Sequence, residues 1–311
     1  MPFAHSILEA IGNTPLVQLR RIVPPGSARV LVKLEGANPT GAMKDRMALA
    51  AIERAEQDGR LHAGGTVVEY TGGSTGTSLA LVCAAKGYRI RIVTSDAFSQ
   101  EKRDHMAALG AELIIVPSDA GRIDEKLFRT MIETARQMAR EPGTWWVNQL
   151  ENPDAAAGYH SMGEEIWRQC NGQVDGFVQS VGTAHSLHGV TAALRLHKPD
   201  LLAVAVEPGE SPFLSTGRGG AHRIEGIGIG YRPPLWKPEL VDEIDTVATD
   251  DAMAMARRLA REEGIFAGTS SGANVAAALR LAGRLGTNKT VVTLQVDLGI
   301  KYLSTDLYRS S

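Results

Sequence analysis

The chain has 311 residues, 43% of them apolar, and a formal net charge of −2 at pH 7. This length exceeds the size at which one hydrophobic core usually stops growing, so we expect two domains. The nearly balanced charge gives no reason to expect nucleic acid or an anionic membrane as a partner.

The cysteines and the N-terminal segment bear on the compartment. Cys83 and Cys170 provide neither a disulfide framework nor a zinc-binding spacing, which favours a reducing compartment and predicts no metal site. The segment MPFAHSILEAIG lacks the basic start and apolar core of a secretory signal, and no apolar run reaches membrane-spanning length. We therefore expect a cytoplasmic protein without membrane association, and its size favours an enzyme.

Strand-like and helix-like runs alternate along the chain. Strands are predicted at 29–34, 66–70, 89–95, 112–116, 174–181, 201–207 and 290–296. Helices are predicted near 44–58, 77–87, 100–110, 123–140, 186–197, 249–263 and 271–285. This alternation predicts an α/β protein with parallel sheets and right-handed crossovers.

Two irregular stretches interrupt the alternation. The segment EPGTWWVNQL at 141–150 separates two strand–helix sets, and we expect a domain junction there. The segment 208–246 is rich in Gly and Pro and is too long for an ordinary connection. Loops of that length are usually functional or disordered.

Lys44 stands in NPTGAMKDR, after a turn with Pro and Gly and at the start of a predicted helix. Lysines favour the last turn of a helix, where they complement the macrodipole, so this position is unfavourable for a cation. Lys44 is therefore a solvated side chain, a phosphate clamp or a nucleophilic amine. The sequence GAMKD does not fit the Walker pattern, which removes the phosphate clamp.

Three loops of small residues precede predicted helices, where backbone N–H groups can bind an anion. The loop TGGSTG (71–76) suits a carboxylate or a phosphate, and an ordinary capped turn is the alternative. VGTAHS (181–186) offers Gly182, Thr183 and Ser186 to a phosphate, although His185 equally fits a solvent-facing helix start. For AGTSSGAN (267–274) close packing of the helix against a neighbouring backbone is the better explanation.

Lys44 together with the first two loops favours the nucleophilic amine. An amine that is partly desolvated near amide dipoles has a lowered pKa. A neutral amine near physiological pH is what condensation with a carbonyl requires.

These residues resemble a known family, the fold-type II pyridoxal-phosphate (PLP) enzymes, in the group of cysteine synthase (O-acetylserine sulfhydrylase) and cystathionine β-synthase. NPTGAMKDR is similar to the cofactor-lysine motif of that family. Further similar segments follow in the same order along nearly the whole chain: IGNTPLVQL, EYTGGSTGTSLA, VNQLENPD, VGTAHSLHGV, AVEPGESP, HRIEGIGIGYRPP and VDLGIKYLSTDLY.

The resemblance implies two three-layer domains with mostly parallel sheets, like those of the tryptophan synthase β-subunit. The larger domain, 1–38 and 146–311, would bind the cofactor phosphate. The smaller domain, 39–145, would be mobile, carry the substrate-carboxylate loop and close over the substrate. The family is usually dimeric, so a homodimer is implied, and we expect no appended regulatory domain.

The resemblance also implies roles for individual residues. Lys44 would form the internal aldimine with PLP and serve as the catalytic base. One group would bind the amino-acid substrate: Thr71, Gly72, Gly73, Thr75, Gln149, Gly226 and Gly228. Another group, besides Lys44, would contact the cofactor: Ser74, Gly182, Thr183, His185, Ser186, Asp297 and Leu298.

Three departures from the family pattern involve four residues. Ser74 replaces an asparagine that hydrogen-bonds the ring oxygen of the cofactor, and Ala184 with His185 replaces two glycines of the phosphate loop. Leu298 stands where a serine normally hydrogen-bonds the pyridine nitrogen, and Asp297 beside it points elsewhere in this interpretation. A ring nitrogen without a partner is a poorer electron sink, which β-elimination of a good leaving group tolerates better than chemistry with a long-lived carbanion.

The implied reaction is β-replacement on an activated L-serine, O-acetyl- or O-phosphoserine, through an aminoacrylate. Sulfide or another thiol would add and give cysteine or a cysteine derivative. Two alternatives stay open. One is β-replacement with a different nucleophile or simple β-elimination, and the other is a catalytically impaired paralogue with a binding or regulatory role.

Overall fold

The structure is a computed structural model that describes residues 3–120 and 125–309. By contacts between Cα atoms the chain divides into two compact units. The smaller unit comprises Met1–Ile11 and Lys44–Gly158, and the larger unit comprises Gly12–Met43 and Tyr159–Ser311.

Ten strands and nine α-helices form the regular structure of the described residues. The strands are β1 (Leu16–Gln18), β2 (Arg29–Leu34), β3 (Thr66–Tyr70), β4 (Arg89–Ser95), β5 (Glu112–Val116), β6 (Thr144–Trp146), β7 (Gly176–Ser180), β8 (Leu202–Pro208), β9 (Glu243–Val247) and β10 (Thr290–Gln295). The helices are α1 (Lys44–Gln57), α2 (Ser74–Lys86), α3 (Gln100–Ala108), α4 (Glu125–Met138), α5 (Asp154–Gln169), α6 (His185–His197), α7 (Phe213–Thr216), α8 (Thr249–Arg258) and α9 (Thr269–Leu285).

The smaller unit contains a parallel four-stranded sheet in the order β5-β4-β3-β6. Side chains of a strand alternate between faces, and here both faces are buried. Val67 of β3 packs in one core with α1, α2 and α3, whereas Val68 packs in another with α4. The unit therefore has three layers, and the carboxyl end of β3 opens into the loop at 71–73.

The larger unit contains a six-stranded sheet in the order β1-β2-β10-β7-β8-β9, in which β1 alone is antiparallel to its neighbour. On one face, valines of the central strands pack in one core with residues of α8 and α9. On the other face α6 packs on β7, and Lys33 of β2 pairs with Glu165 of α5 at 2.6 Å. This unit also has three layers, which confirms the predicted fold class.

The predicted strands and helices are present at nearly the predicted positions. The predicted helix near 123–140 corresponds to α4, and residues 121–124 lie outside the described residues. The sequence did not predict the strands β1, β6 and β9, the helix α5 or the four-residue helix α7, which lies in the irregular stretch 208–246.

The sequence pattern did not predict α5 because the helix contains Gly158 and Gly163, and glycine is a poor helix former. Both glycines allow close packing. A Cβ at Gly158 would lie 2.3 Å from the carbonyl oxygen of Arg46. A Cβ at Gly163 would lie 2.5 Å from the Cβ of Ala193 in α6.

The unit boundaries differ from the predicted domain boundaries at residues 38 and 145. β6 pairs in parallel with β3, so Trp145 and Trp146 belong to the sheet of the smaller unit. Leu8 and Ile11 pack against the core of the same unit. The functional roles predicted for the two domains stay predictions. Among the described residues, no helix is long and apolar enough to cross a membrane.

Candidate active site

Lys44 is the first residue of α1 and is half-buried. Within residues 3–120 and 125–309, no hydrogen bond or ion pair holds its ammonium group. Burial lowers the pKa of Lys44 to about 8, and the negative charge of Glu69 opposes this shift. The helix start thus carries an amine that loses its proton much more readily than an ordinary lysine.

Glu69 in β3 is fully buried and was not among the predicted site residues. Burial raises its pKa to about 7, while hydrogen bonds from its neighbours and the charge of Lys44 act in the opposite direction. The signal in the sequence was a single acid in the otherwise apolar strand TVVEY. A half-charged carboxyl and a readily deprotonated amine in one unit are typical of a catalytic site.

The loop after β3 forms an open backbone cradle. Its helix α2 begins after Gly73, and no side chain caps the first turn. A Cβ at Gly72 would collide with the ring of Phe98 at 2.2 Å, whereas a Cβ at Gly73 would meet nothing nearer than Lys102 Cδ at 3.9 Å. Gly72 is needed for packing, and Gly73 leaves room for a ligand to approach the main chain.

Gln149 lies against this loop. Its side-chain oxygen accepts a hydrogen bond from Thr75 Oγ1 at 2.8 Å, and its Nε2 donates to the carbonyl oxygen of Tyr70 at 3.3 Å. Thr71 Oγ1 accepts from the backbone N–H of Gly73 at 3.1 Å. The smaller unit therefore assembles one set of the predicted residues: Lys44, Thr71, Gly72, Gly73, Ser74, Thr75 and Gln149.

The larger unit contains a second uncapped helix start, at α6. The N-cap residue is Ala184, which cannot cap with its side chain, so the first-turn N–H groups remain available to an anion. Ser186 Oγ accepts from Gln179 Nε2 at 3.1 Å, so its own proton is available for donation. His185 is buried, so it is not the solvent-facing residue at a helix start that was one interpretation of the sequence.

Ala184 adopts the left-handed conformation, with φ of 69°. A residue with a Cβ is strained there by about 1–2 kcal/mol relative to the right-handed region. The backbone shape that a glycine would provide without strain is nevertheless kept. Ala184 and His185, which replace the two glycines of the family pattern, therefore introduce strain at Ala184, while its left-handed backbone conformation is one that glycine adopts readily.

The segment around Gly226 and Gly228 lies beside the same loop. A Cβ at Gly182 would lie 2.4 Å from the carbonyl oxygen of Gly226, and the N–H of Gly228 donates to the carbonyl of Val181 at 3.0 Å. His222 Nδ1 accepts from the N–H of Ile224 at 3.2 Å, so its Nε2 carries the proton and donates to Gly228 O at 2.9 Å.

Asp297 and Leu298 follow β10. Asp297 is buried and its Oδ2 accepts from the hydroxyl of Tyr302 at 2.9 Å. Leu298 directs its side chain to the turn at 36–41, since a Cβ on Gly41 would lie 2.9 Å from Leu298 Cδ1. The larger unit contains the other predicted residues, of which Gly182, Gly226 and Gly228 are shown to be neighbours: Gly182, Thr183, His185, Ser186, Gly226, Gly228, Asp297 and Leu298.

The third small-residue loop has the packing role that we preferred for it. A Cβ on Gly272 of α9 would lie 2.0 Å from the carbonyl oxygen of Ala252 in α8. Only glycine permits this approach of the two helices. In the described part of the chain, no group of three or more His, Cys, Asp or Glu side chains could hold a metal ion.

The family model described as "Pyridoxal-phosphate dependent enzyme" matches residues 7–297, so the chain belongs to this family of PLP-dependent enzymes. It is 44% identical to cysteine synthase of Staphylococcus aureus over 306 residues, which cover 97% of this chain and 96% of that protein.

Two solved structures extend the comparison. Cysteine synthase (OASS) from Entamoeba histolytica superposes with a TM-score of 0.91 at 38% identity, covering 99% of this chain and 92% of that one. O-ureido-L-serine synthase superposes with a TM-score of 0.92 at 36% identity, covering 99% and 96%.

The residues present suit the cofactor that defines the family. PLP has an aldehyde, a phosphate and a ring, and its binding requires a reactive amine and an anion cradle. Lys44 provides the amine with a lowered pKa. The uncapped start of α6 provides the cradle, with the hydroxyl group of Ser186 beside it.

Proposed function

We propose that this protein catalyses PLP-dependent β-replacement on an activated L-serine, O-acetyl- or O-phosphoserine. Sulfide or another thiol would be the nucleophile, with cysteine or a cysteine derivative as product. The observation that carries the proposal is the pairing, in one unit, of the half-buried amine of Lys44 with an uncapped, glycine-lined helix start. The similarity to cysteine synthases supports it.

The cofactor would be held at two points. Lys44 would bind its aldehyde, and the N–H groups at the start of α6, with Thr183 and Ser186, would bind its phosphate. Ser74, His185, Asp297 and Leu298 would lie around it. When bound, PLP supplies an electron sink for the negative charge that develops at the α-carbon of the substrate.

The protein residues would orient the substrate and move its proton. The backbone N–H groups of the loop at 71–76 would bind the α-carboxylate, with Gln149 fixed against the loop by Thr75. Gly226 and Gly228 would line the entrance near the substrate amine. The Nζ of Lys44, neutral in an appreciable fraction at neutral pH because its pKa is about 8, would accept the α-proton.

The test is turnover by the PLP-loaded protein. With O-acetylserine and sulfide we expect cysteine to form, as measured by a colorimetric cysteine assay, and O-phosphoserine in parallel identifies the preferred leaving group. The variant K44A, purified the same way, should form no cysteine above the uncatalysed rate. Absence of product with both serine esters and a panel of thiols would contradict the proposal.

A different nucleophile is the second candidate, and the similarity to O-ureido-L-serine synthase favours it. The same assay answers this question when sulfide is replaced by homocysteine, thiosulfate or an amine. Pyruvate release in the absence of any nucleophile would instead indicate β-elimination. An impaired paralogue, motivated by Leu298 and by Ala184 with His185, would bind PLP and amino acid without product in any of these assays.

The remaining expectations are proposals of the same kind. We propose a cytoplasmic homodimer, which analytical ultracentrifugation and fractionation of cells would test. We also propose that the smaller domain closes over the substrate, which small-angle scattering with and without a substrate analogue would test.

A further inference from the structure

Glu69 has both carboxylate oxygens engaged by main-chain and side-chain donors. One oxygen, Oε1, accepts from the N–H of Tyr70 at 2.8 Å and from Trp146 Nε1 at 3.4 Å. The other, Oε2, accepts from the N–H of Gln149 at 2.9 Å. A buried carboxylate with several donors is favourable only because the donors compensate for its lost hydration. These contacts tie the end of β3 to the segment that follows β6.

This connection fixes the residue that lies against the carboxylate loop. Glu69 holds the main chain of Gln149, while the Gln149 side chain bridges Thr75 Oγ1 and the carbonyl oxygen of Tyr70. Asn148, just before Gln149, has φ of 50°, a left-handed conformation that the surrounding contacts must maintain. The side chain of Gln149 can point to the loop only while its main chain is held in this way.

We propose that Glu69 is a positioning residue of the active site: its carboxylate fixes Gln149 against the carboxylate loop. This role rests on the proposed function, in which Gln149 lies at the substrate carboxylate. A purely structural Glu69 would affect folding and leave the KM of the folded protein unchanged.

The first test uses E69Q in the PLP-loaded protein, shown to be folded by circular dichroism. An amide group replaces one carboxylate oxygen, so the side chain can no longer accept from both the N–H of Tyr70 and the N–H of Gln149. We expect the KM for the amino-acid substrate to rise about tenfold, with kcat changed less.

Glu35 provides the matched control. It is equally buried and accepts from Thr14 Oγ1 and Asn38 Nδ2, but it belongs to the larger unit, whereas Gln149 belongs to the smaller one. The variant E35Q should therefore leave the KM within about twofold of wild type. An unchanged KM in folded E69Q, or an equal rise in E35Q, would overturn the proposal.

The second test uses E69D in the PLP-loaded protein. Aspartate retains the charge but is too short to keep the hydrogen bond to Gln149. We expect the KM for the amino-acid substrate to rise about tenfold, with kcat changed less. An unchanged KM would overturn the proposal.

The two variants separate the possible failures. If E69Q does not fold, the KM of E69D decides the proposal. If the wild type shows no turnover with any substrate, the proposed function fails, whereas an active wild type whose KM is unchanged by E69D overturns only the role of Glu69.

Discussion

The backbone N–H of Leu298 donates a hydrogen bond of 3.0 Å to the carbonyl oxygen of Gly41, in the turn that leads to Lys44. The Leu298 side chain covers the same turn, since Cβ atoms built on Gly36 and Gly41 would lie 2.8 and 2.9 Å from its two methyl carbons. A residue at which the sequence departs from its family thus packs against the turn before the candidate catalytic lysine.

We expect L298S to lower the free energy of unfolding by about 1–2 kcal/mol, because a half-buried leucine is replaced by a shorter polar side chain that leaves a gap. Urea denaturation followed by circular dichroism measures this change. Leu303 is 51% exposed, so L303S should change stability by less than about 0.5 kcal/mol. Equal losses in the two variants would show that Leu298 does not support the turn.

We expect K44A to reduce β-replacement by at least about 10²-fold, since the variant lacks the amine that binds the cofactor and takes the proton. Its stability should not fall, because a poorly hydrated amine without a hydrogen-bond partner is removed. Lys126 is exposed on α4, and K126A should retain wild-type activity. Cysteine formation and urea denaturation of both variants are the measurements, and near-normal turnover in K44A would contradict this role.

We expect A184G to raise the free energy of unfolding by about 0.5–1 kcal/mol. Ala184 is strained at φ of 69°, and the relief exceeds the extra entropy of glycine in the unfolded chain. Ala192 in the interior of the same helix is the control, because A192G should lower stability by about 1 kcal/mol. Thermal and urea unfolding would show opposite signs for the two variants; a loss in both would mean that the left-handed site is unstrained.

We expect G72A and G73A to separate packing from binding. G72A should unfold more easily, since its Cβ would collide with the Phe98 ring at 2.2 Å. G73A should leave stability within about 0.5 kcal/mol, because its Cβ meets open space, but should raise the KM for the amino-acid substrate. An unchanged KM in G73A would show that the substrate does not approach the main chain there.

We expect Glu69 to give the protein a specific pH dependence of stability. Its pKa rises from 4.5 in the unfolded chain to about 7 in the folded one, so the folded state binds the extra proton between these values. Stability therefore falls as pH rises from about 4.5 to about 7, and this contribution should be absent in E69Q. Urea denaturation across this range compares E69Q with wild type, and parallel curves would contradict the raised pKa.

The sequence by itself determined the alternation of strands and helices, because buried parallel strands appear as short, nearly continuous apolar runs and helices as longer periodic runs between them. It also identified Lys44 and the loops at 71–76 and 181–186, since their residue types are chemically distinctive within a few positions. The short strands β1, β6 and β9 and the glycine-bearing α5 depend on pairing and packing partners that are distant in the chain, so local patterns did not reveal them.

Only the tertiary structure decided how these residues behave. Glu69 is an ordinary acid in TVVEY until burial and the donors from Tyr70, Trp146 and Gln149 make it a fixed, half-charged group. Likewise, Ala184 adopts a left-handed backbone conformation that is common for glycine. The protonation of a buried group and the strain of a backbone angle depend on neighbours that folding brings together, and burial among such neighbours lowers the pKa of Lys44.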